Sequence, residues 1–490
     1  MNDKPEIIIA LVSPVGVDLE SMNKILSDYL NQFGYRANLI QLSTLIHKID
    51  GLETRLSLET EDKRIDSYMT AGDEARKKAE RGDILAALAI NEINQTRQEG
   101  EPLPATAHIL RSLKHPEEVQ LLRNVYGEGF YLVGIFSSWA KRLKYFERKG
   151  IKQEKAEHLI NRDESEEFDW GQQTRDAFHL ADVFIDADKD NVDDQISRFL
   201  DIIFGKPFLT PTRDEYAMFM AFSASLRSGD LARQVGAVIS SQQDDIIATG
   251  ANDVPRFGGG LYWSDHNADN RDYVKGFDTN TRHKNEMLLE IMKKIYGNDR
   301  DDEELIKEGK KIFKHTKLFD ITEYGRAVHA EMEALLCCSR IGVRPKLGTL
   351  YCTTFPCHNC AKHIIASGIS RVVFVEPYPK SQAKELHGDE LVVIHEEKDD
   401  QQGFENKVKF EPFVGIGPRK FIDLFSMNLG RGYRLTRKDE RGNTIHWERK
   451  KASIRVPQFP LSYIDREELI LQNMNIQIKG GTNENQEESG

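Results

Sequence analysis

Short apolar runs alternate with longer charged stretches through the first 205 residues of this 490-residue chain. Short apolar runs bounded by turn residues are typical of buried strands, whereas apolar residues every three or four positions are typical of helices. Strands that alternate with helices predict an α/β domain with a largely parallel sheet. The predicted strands are 7–12, 36–42, 105–110, 130–136 and 182–185, with helices that include 19–33 and 83–98 between them.

The pattern changes near residue 205, where a glycine and two prolines in GKPFLTPT interrupt it. Thr212 and Glu215 then have the spacing of a capping box that opens a helix. Next, two apolar runs around a polar turn, VGAVIS-SQQDD-IIATG, predict a β-hairpin. Two helix–strand pairs follow, and together with the hairpin they predict a compact three-layer α/β/α sandwich. Their predicted bounds are 327–340, 348–354, 357–367 and 371–375.

These patterns divide the chain into four parts. An α/β domain covers 1–205, and a second domain covers 206–430 with an insertion at about 258–322. A C-terminal extension covers 431–475, and the polar, acidic tail at 476–490 is predicted to be disordered because it has little apolar surface to bury. The insertion has helical pieces but no metal-ligand spacing, so we expect it to have a structural or oligomer-contact role.

One highly charged stretch stands out within the first domain. It runs from residue 139 to residue 172 and includes ERKGIKQEKAEHLINRDESEEFDW. Its charge density predicts a solvated helix pair over the sheet, which fits either a surface insertion or a mobile lid.

The composition narrows the class of protein. A net charge of −12 and the absence of a lysine- or arginine-rich block disfavour a dedicated nucleic-acid binder and favour a small-molecule substrate. The N-terminal apolar run is too short for a signal peptide or a membrane span, so we expect a soluble, cytoplasmic protein without a membrane partner. An odd number of clustered cysteines excludes a secreted disulfide framework. The cysteines are Cys337, Cys338, Cys352, Cys357 and Cys360.

Cys357 and Cys360 follow Pro356 in TTFPCHNCAKHI, a spacing that fits a redox pair, half of a zinc knuckle or a catalytic metal site. A closed structural zinc site needs further ligands, and the sequence has no second CxxC. AVHAEMEAL supplies His329 at the start of a predicted helix. Two helix N-termini that converge on one ion give three ligands and an open fourth position, so we predict one catalytic Zn²⁺.

Glu331 lies two residues after His329 and is not needed as a ligand. An open zinc position lowers the pKa of water, and a neighbouring carboxylate is suited to carry the proton to a nitrogen of the substrate. The pair of motifs H-x-E and P-C-x-x-C is the signature of zinc nucleobase deaminases. We therefore predict that Glu331 is the catalytic acid–base group in the deamination of a cytosine.

The second domain resembles the deoxycytidylate deaminases in ASLRSGDLARQVGAVIS, IIATGAND, VHAEMEAL and TTFPCHNCAKHIIASGISRVVF. The resemblance implies that Asn252, in Gly-Ala-Asn-Asp rather than the family's Gly-Tyr-Asn-Gly, holds the 3′-hydroxyl of the deoxyribose. Phe355 would lie beside the pyrimidine and Tyr378 against the sugar, although each could equally be a core residue. The cations best placed in the sequence to meet a phosphate are Arg233, Arg256 and Lys380.

Over nearly its full length the chain resembles the bacterial anti-phage dCTP deaminases, in which a P-loop kinase-like domain is fused to a deaminase domain. The N-terminal segments that carry this resemblance are SLKHPEEVQLLRNVYG and GQQTRDAFHLADVFID, and the later one is FEPFVGIGPRKF. The resemblance implies conversion of dCTP and dCMP to uracil nucleotides, which depletes dCTP during phage replication. It also implies a homo-oligomer and, for some relatives, restraint by a small RNA or another antitoxin.

The phosphate-binding loop expected after the first strand is degenerate. In LVSPVGVDLE, Ser13 and Gly16 fit such a loop, but Val17 stands where the lysine should be and Asp18 where the serine or threonine should be. Kinase catalysis is therefore not expected. The domain is predicted to be regulatory, with a nucleotide bound in another way, or to be a scaffold for oligomerisation.

Three other functions remain open from the sequence. The first is a housekeeping dCMP deaminase that supplies dUMP for thymidylate synthesis, which the large N-terminal half disfavours. The second is a zinc-stabilised nucleotide-binding module without turnover. The third is a deaminase that edits nucleic acid, which the charge of −12 disfavours, so no DNA substrate is expected.

Overall fold

The computed structural model describes residues 4–52, 56–57, 59–97, 100–164, 170–314, 316–321, 323–376, 381–394, 404–457 and 460–474. These residues form two compact units. Unit 1 is built from described residues of Met1–Glu215 and Val414–Gly490, and unit 2 from those of Tyr216–Ile394 and Gln401–Phe413. Residues after Val414 thus belong to unit 1, whereas the sequence pattern assigned them to the second domain as far as 430. The tail at 476–490 lies outside the described residues.

The described strands form two six-stranded sheets, one in each unit. In chain order they are β1 (Ile7–Val12), β2 (Arg36–Gln41), β3 (Thr106–Leu113), β4 (Phe130–Phe136), β5 (Val183–Asp186), β6 (Gly236–Ser240), β7 (Ile246–Ala251), β8 (Thr349–Thr354), β9 (Arg371–Glu376), β10 (Leu391–Val393), β11 (Val408–Pro412) and β12 (Gly415–Ile416).

Helices connect and cover these strands. In chain order they are α1 (Leu19–Gln32), α2 (Leu42–Leu45), α3 (Glu61–Ala79), α4 (Ile84–Thr96), α5 (Pro116–Tyr126), α6 (Trp139–Arg148), α7 (Gln153–Glu164), α8 (Thr174–Phe178), α9 (Val192–Ile203), α10 (Arg213–Ser225), α11 (Asp272–Lys275), α12 (Thr279–Tyr296), α13 (Asp302–Ile312), α14 (Ala330–Ile341), α15 (His358–Ser367), α16 (Ala383–His387), α17 (Phe421–Phe425) and α18 (Pro460–Gln472). None of these described helices is both long and apolar enough to cross a membrane.

The sheet of unit 1 has the strand order β12-β5-β4-β1-β3-β2. β1 pairs in parallel with β3 and β4, and the outer pairs β2–β3 and β4–β5 are also parallel. Every residue of β1 is buried, as expected for a central strand covered on both faces. The prediction of a largely parallel sheet is confirmed, with β12 as an antiparallel edge.

The charged stretch after residue 139 is not a solvated helix pair throughout, and that part of the sequence prediction is wrong. α6 and α7 bury Phe146 and Ile160 completely, in a cluster that also contains Met69 from α3. The buried positions recur at helical spacing among many charged residues. The high charge density therefore describes the outer faces of the two helices and conceals their apolar inner faces.

The sheet of unit 2 has the order β10-β11-β9-β8-β6-β7. β6 and β7 form the predicted antiparallel hairpin, and β8, β9, β11 and β10 are parallel neighbours. A Cβ atom on Gly236 would lie against α10, whereas one on Gly250 would lie against α14. Gly250 pairs with Ala237, the residue after Gly236, so these helices cover opposite faces of the sheet. Unit 2 thus has the three layers predicted from the sequence.

The start of α10 and the helices of the insertion both agree with the sequence pattern. The expected capping box is present, because Thr212 N donates to the Glu215 carboxylate (2.7 Å) and Glu215 N donates to Thr212 Oγ1 (3.2 Å). Within the insertion, α12 and α13 pack through a small core of Leu288, Met292 and Leu305. The insertion is therefore folded and contains helices, as the sequence pattern predicts.

A buried ionic network ties the C-terminal helix α18 to the first strand of unit 1. The fully buried guanidinium of Arg97 bonds to Glu6 (2.9 Å) and to Glu467 on α18. Glu6 also accepts hydrogen bonds from Leu103 N and Tyr463 Oη. Burial favours a neutral Glu6, but His108 and Arg97 outweigh this effect and lower the pKa of Glu6 to about 2.

We predict that Arg97→Met destabilises unit 1 by about 3–5 kcal/mol, because it leaves two buried carboxylates without their cation. Urea unfolding should be followed in a Trp263→Phe background, whose remaining tryptophans all lie in unit 1. Since the folded pKa of Glu6 is lowered, its contribution to stability is present above pH 4.5 and is lost as the pH falls towards 2. Lys63→Met, which breaks an exposed ion pair, is the control and should have little effect. Equal destabilisation by both variants would contradict the prediction.

Candidate active site

The first half of the site lies at the N-terminus of α14. His329 is the N-cap residue, with extended backbone angles (φ −67°, ψ 151°), and Gly342 ends the helix in the left-handed conformation. The sequence pattern placed the helix start slightly earlier, at 327. As the N-cap, His329 holds its side chain at the end of the helix, where the backbone N–H groups are not paired within the helix.

The second half of the site lies at the N-terminus of α15. Cys357 is the N-cap of this helix, Cys360 lies in its first turn, and Gly368 ends it in the left-handed conformation. Residues three apart share one face of a helix, so both sulfur atoms point to the same side. The positive end of the helix dipole favours thiolates at these positions.

The three predicted ligands converge. His329 Nδ1 lies 3.4 Å from Cys357 Sγ and 3.4 Å from Cys360 Sγ. Their ligand atoms all lie within 4.8 Å of one another. A tetrahedral zinc ion with ordinary bond lengths would separate such nitrogen and sulfur atoms by about 3.5 Å. The donor set and its spacing therefore fit one Zn²⁺.

The protein environment already favours negative charge on Cys357. A hydrogen bond from Cys360 and the nearby His329 lower the pKa of the Cys357 thiol to about 4, against the effect of burial. The same contact with Cys357 raises the pKa of His329 to about 9, although burial acts in the opposite direction. His329 would hold zinc in its deprotonated form, because a metal ligand must be deprotonated.

Glu331 is buried beside the ligands, with 3% of its surface exposed. Burial raises the pKa of its carboxyl group. Glu333, two residues further along α14, lies on the other side of the helix and pairs with Arg340. The two glutamates of AEME therefore have different surroundings, and only Glu331 is adjacent to the ligands.

Close packing of α14 on β7 determines where His329 lies. A Cβ atom on Gly250 would be 2.1 Å from the carbonyl oxygen of Ala330, so only glycine permits this approach. Next to it, Asp253 and Val328 exchange backbone hydrogen bonds of 3.3 and 2.9 Å. The residue before His329 is thus fixed to the segment that follows β7.

Comparison with known proteins agrees with this geometry. Residues 211–376 match the family model for the cytidine and deoxycytidylate deaminase zinc-binding region. The deoxycytidylate deaminase of enterobacteria phage T2 is 31% identical over 163 residues, which are 33% of this chain and 79% of the phage protein. The chain belongs to the cytidine and deoxycytidylate deaminase family. The zinc-binding match and the His/Cys/Cys cluster together assign one Zn²⁺ to this site.

Other relatives overlap with less of their length. The deoxycytidylate deaminase of Saccharomyces cerevisiae is 30% identical over 35% of this chain and 40% of its own length. ComE operon protein 2 of Bacillus subtilis is 45% identical over 11% of this chain and 28% of its own length. The chain thus spans less than half of these two proteins. The apo dCMP deaminase of cyanophage S-TIM5 overlaps with 42% of this chain and all of its own, at 16% identity and a TM-score of 0.23.

Asn252, the residue predicted to contact the sugar, is held by the segment before β6 in this family member. Its Oδ1 accepts from Val235 N (2.6 Å), and its Nδ2 donates to the carbonyl oxygen of Arg233 (2.8 Å). One N–H of the amide and one lone pair of Oδ1 are left for other partners. The sugar contact stays a prediction.

The remaining predicted substrate residues have different surroundings. Arg233 pairs with Glu376 at 3.2 Å, and Arg256 is exposed, with Nη1 3.4 Å from His266 Nε2. Phe355 packs edge-to-face on Phe374 and belongs to the core of unit 2. Tyr378 and Lys380 lie outside the described residues. Ser13 and Gly16 belong to unit 1 and have no part in the zinc site.

Two further arginines of unit 2 were not predicted from the sequence. Arg271, from the insertion, is 4% exposed and reaches the buried carboxylate of Asp253 (3.4 Å). The guanidinium carbon of Arg227 lies 3.5 Å from the centre of the Trp263 ring. A buried arginine in a polar insertion has no local signature, because its partner comes from another part of the chain.

We predict that Cys360→Ser releases zinc because it removes one of three thiolate or imidazole ligands. Zinc measured by plasma mass spectrometry after dialysis should fall from about one ion per chain to a small fraction. Cys337→Ser is the matched control, since Cys337 lies on α14 outside the ligand cluster and should leave the zinc content unchanged. Full zinc retention by Cys360→Ser would contradict the assignment.

Proposed function

We propose that this protein hydrolyses the exocyclic amino group of a free deoxycytidine nucleotide, with one zinc ion and Glu331 at the reaction centre. The observation that supports this most directly is the His329–Cys357–Cys360 cluster with a buried carboxylate beside it. Family membership and relatives named deoxycytidylate deaminase support the same reaction. Water and the cytosine base are consumed, and uracil and ammonia are formed.

His329, Cys357 and Cys360 would hold the zinc ion through Nδ1 and the two sulfur atoms. When bound, zinc supplies Lewis acidity and lowers the pKa of water towards neutrality. Burial raises the pKa of Glu331, which suits a carboxyl group that must both accept and donate a proton near neutral pH. Glu331 takes a proton from the water that attacks C4 and transfers it to N3 of the ring. It then takes the second proton from the new C4 hydroxyl and delivers it to the amino group, so that the C4–N bond breaks, ammonia leaves and the C4 carbonyl forms.

For the substrate we propose free dCMP, dCTP or both, rather than cytosine in a nucleic acid. The net charge of −12 opposes binding of a polyanionic strand. The positive charge of Arg233 acts to lower the pKa of His329, which indicates that the two side chains are close together. A phosphate held by Arg233 would therefore lie near the zinc site. Asn252 on the sugar and Phe355 beside the base complete the proposed contacts.

We further propose that the reaction depletes dCTP in defence against phage, with unit 1 as a regulatory part. The family match ends at residue 376 and begins at residue 211, so unit 1 lies almost entirely outside it. Assembly into a homo-oligomer and restraint by a small RNA or another antitoxin belong to the same proposal. A housekeeping role in supplying dUMP is the rival, because several relatives are deoxycytidylate deaminases.

We predict that Glu331→Gln lowers kcat by roughly 100-fold or more, because the amide cannot carry the proton. Zinc content should be unchanged, which separates loss of proton transfer from loss of the metal. Glu333→Gln is the matched control on the same helix and should stay close to wild type. Ammonia release measures the effect, and an active Glu331→Gln protein would favour a zinc-stabilised binding module without turnover.

A substrate panel distinguishes the proposed roles. We predict that the purified chain deaminates dCMP, dCTP or both, with little turnover of CTP or of cytosine in single-stranded DNA. Chromatography of the products measures the turnover of each substrate. Efficient turnover of dCTP favours depletion in phage defence, whereas turnover of dCMP alone favours supply of dUMP. Deamination of single-stranded DNA without turnover of free nucleotides would overturn the proposed substrate class.

A further inference from the structure

A second set of polar side chains gathers at the carboxyl ends of the parallel strands in unit 1. The chain leaves β1 towards β2 and β3 on one side and later returns to β4 on the other side. In open α/β sheets this change of direction leaves a crevice beyond the strand ends, where ligands bind. The loop from residue 13 to residue 18 lies at this point, between β1 and α1.

An internal carboxylate already engages this loop. Val15 N donates to Asp163 Oδ2 (2.8 Å), whereas Lys114 Nζ forms an ion pair with Asp163 Oδ1 (2.7 Å) and donates a hydrogen bond to the carbonyl oxygen of Ser13 (2.7 Å). Gly16 has φ +89°, and a Cβ atom there would lie 3.0 Å from the Cβ of Arg142. α6 is therefore packed against the loop, and Asp163 takes the place that a phosphate would occupy on the amide of Val15.

Beside the loop, Arg142 is buried but only partly hydrogen-bonded. It is 5% exposed, and its Nη2 donates to Glu164 (2.9 Å). Its Nε and Nη1 have no hydrogen-bond partner among the residues that the structure describes. These two nitrogens carry three of the five N–H groups of a guanidinium. Leaving buried donors of a charged group unpaired is costly, which points to a ligand that accepts from them.

Two other side chains also have a buried polar atom without a hydrogen-bond partner among the described residues. The Nε1 of Trp139 and the Oγ1 of Thr174 are shielded from solvent and have no partner within the described part of the chain. The Trp139 ring centre lies 5.6 Å from the guanidinium carbon of Arg142. Arg175, next to Thr174, bonds to Glu164, the same carboxylate that Arg142 contacts. The unpaired groups therefore lie at the starts of α6 and α8, and Glu164 links these two helices through Arg142 and Arg175.

The local charge favours an anion. Two carboxylates, Asp163 and Glu164, bond to three cations, so one positive charge remains in this group. Indole and guanidinium nitrogens only donate, and a hydroxyl can also donate. The cations are Lys114, Arg142 and Arg175. A phosphate group has the negative charge that matches the remaining positive charge and several oxygens that can accept from the unpaired donors.

We propose that unit 1 contains an anion-binding site for the phosphate group of a small phosphorylated ligand, formed by Arg142, Trp139 and Thr174. The site lies beside the degenerate loop, and the loop itself is closed by Asp163. Every residue of the site belongs to unit 1, so the site shares no residue with the zinc cluster of unit 2.

The test is binding of inorganic phosphate and, separately, of ATP to the full-length zinc-loaded protein in phosphate-free buffer, by calorimetry and thermal unfolding. Saturable binding of either probe to the wild type is expected. Arg142→Met should weaken it by roughly tenfold or more, because charge-assisted hydrogen bonds are lost. Binding of both probes indicates a free phosphate site, and binding of ATP alone indicates that the ligand is a nucleotide.

Matched variants keep the result interpretable. Arg233→Gln in unit 2 should bind both probes like the wild type, which excludes the proposed substrate site as their origin. Trp139→Phe and Thr174→Val each remove one donor with little change of shape and should each weaken binding, even if Arg142→Met fails to fold. Without a probe, Thr174→Val should be as stable as the wild type, because its hydroxyl has no partner in the described chain.

Two results would overturn the proposal. One is the absence of saturable binding of either probe to the wild type. The other is unchanged binding in Trp139→Phe and Thr174→Val together with any Arg142 variant that folds. Equal stabilisation by sulfate, phosphate and chloride in all variants would show a general salt effect and would count against the site in the same way.

Discussion

The zinc site depends on the close approach of α14 to β7. At Gly250 the strand backbone lies so near Ala330 that a Cβ atom could not be accommodated. The adjacent backbone pair between Asp253 and Val328 then fixes the residue before His329. His329 can meet the two cysteines of α15 only if both helices keep these positions, because ligand geometry around zinc tolerates little displacement. Gly250 is therefore needed to position His329, although it is not itself a ligand.

Both units place polar groups where regular structure ends. In unit 2 the N-termini of α14 and α15 hold two cysteine sulfur atoms and an imidazole close together, and the surrounding protein lowers the pKa of Cys357. In unit 1 the carboxyl ends of the strands gather Arg142 and its neighbours beside a loop that Asp163 closes. The ends of helices and strands leave backbone groups unpaired, and charged ligands exploit this feature in many α/β proteins.

The main strands of both sheets were predicted from the pattern of apolar residues, whereas the buried faces of some outer helices were not. The parallel sheet of unit 1 and the hairpin of unit 2 agree with the predicted alternation, because buried strands leave a local apolar signal. The inner faces of α6 and α7 were missed, since the apolar residues that bury Phe146 are outnumbered by charged ones. The capping box at Thr212 was visible for the opposite reason, as its two partners lie three residues apart.

The three ligands of the zinc site were predicted from the sequence, and the proposed chemistry rests on the same motifs. H-x-E and P-C-x-x-C place each side chain through local helix geometry, which does not depend on the rest of the chain. The tertiary structure brings the side chains of His329 and Cys357, which are 28 residues apart, together, with 3.4 Å between Nδ1 and Sγ. It also decided that the amide of Asn252 is held by Arg233 and Val235. These contacts join distant segments, so they arise from packing of the whole unit and leave no signal in any short stretch of sequence.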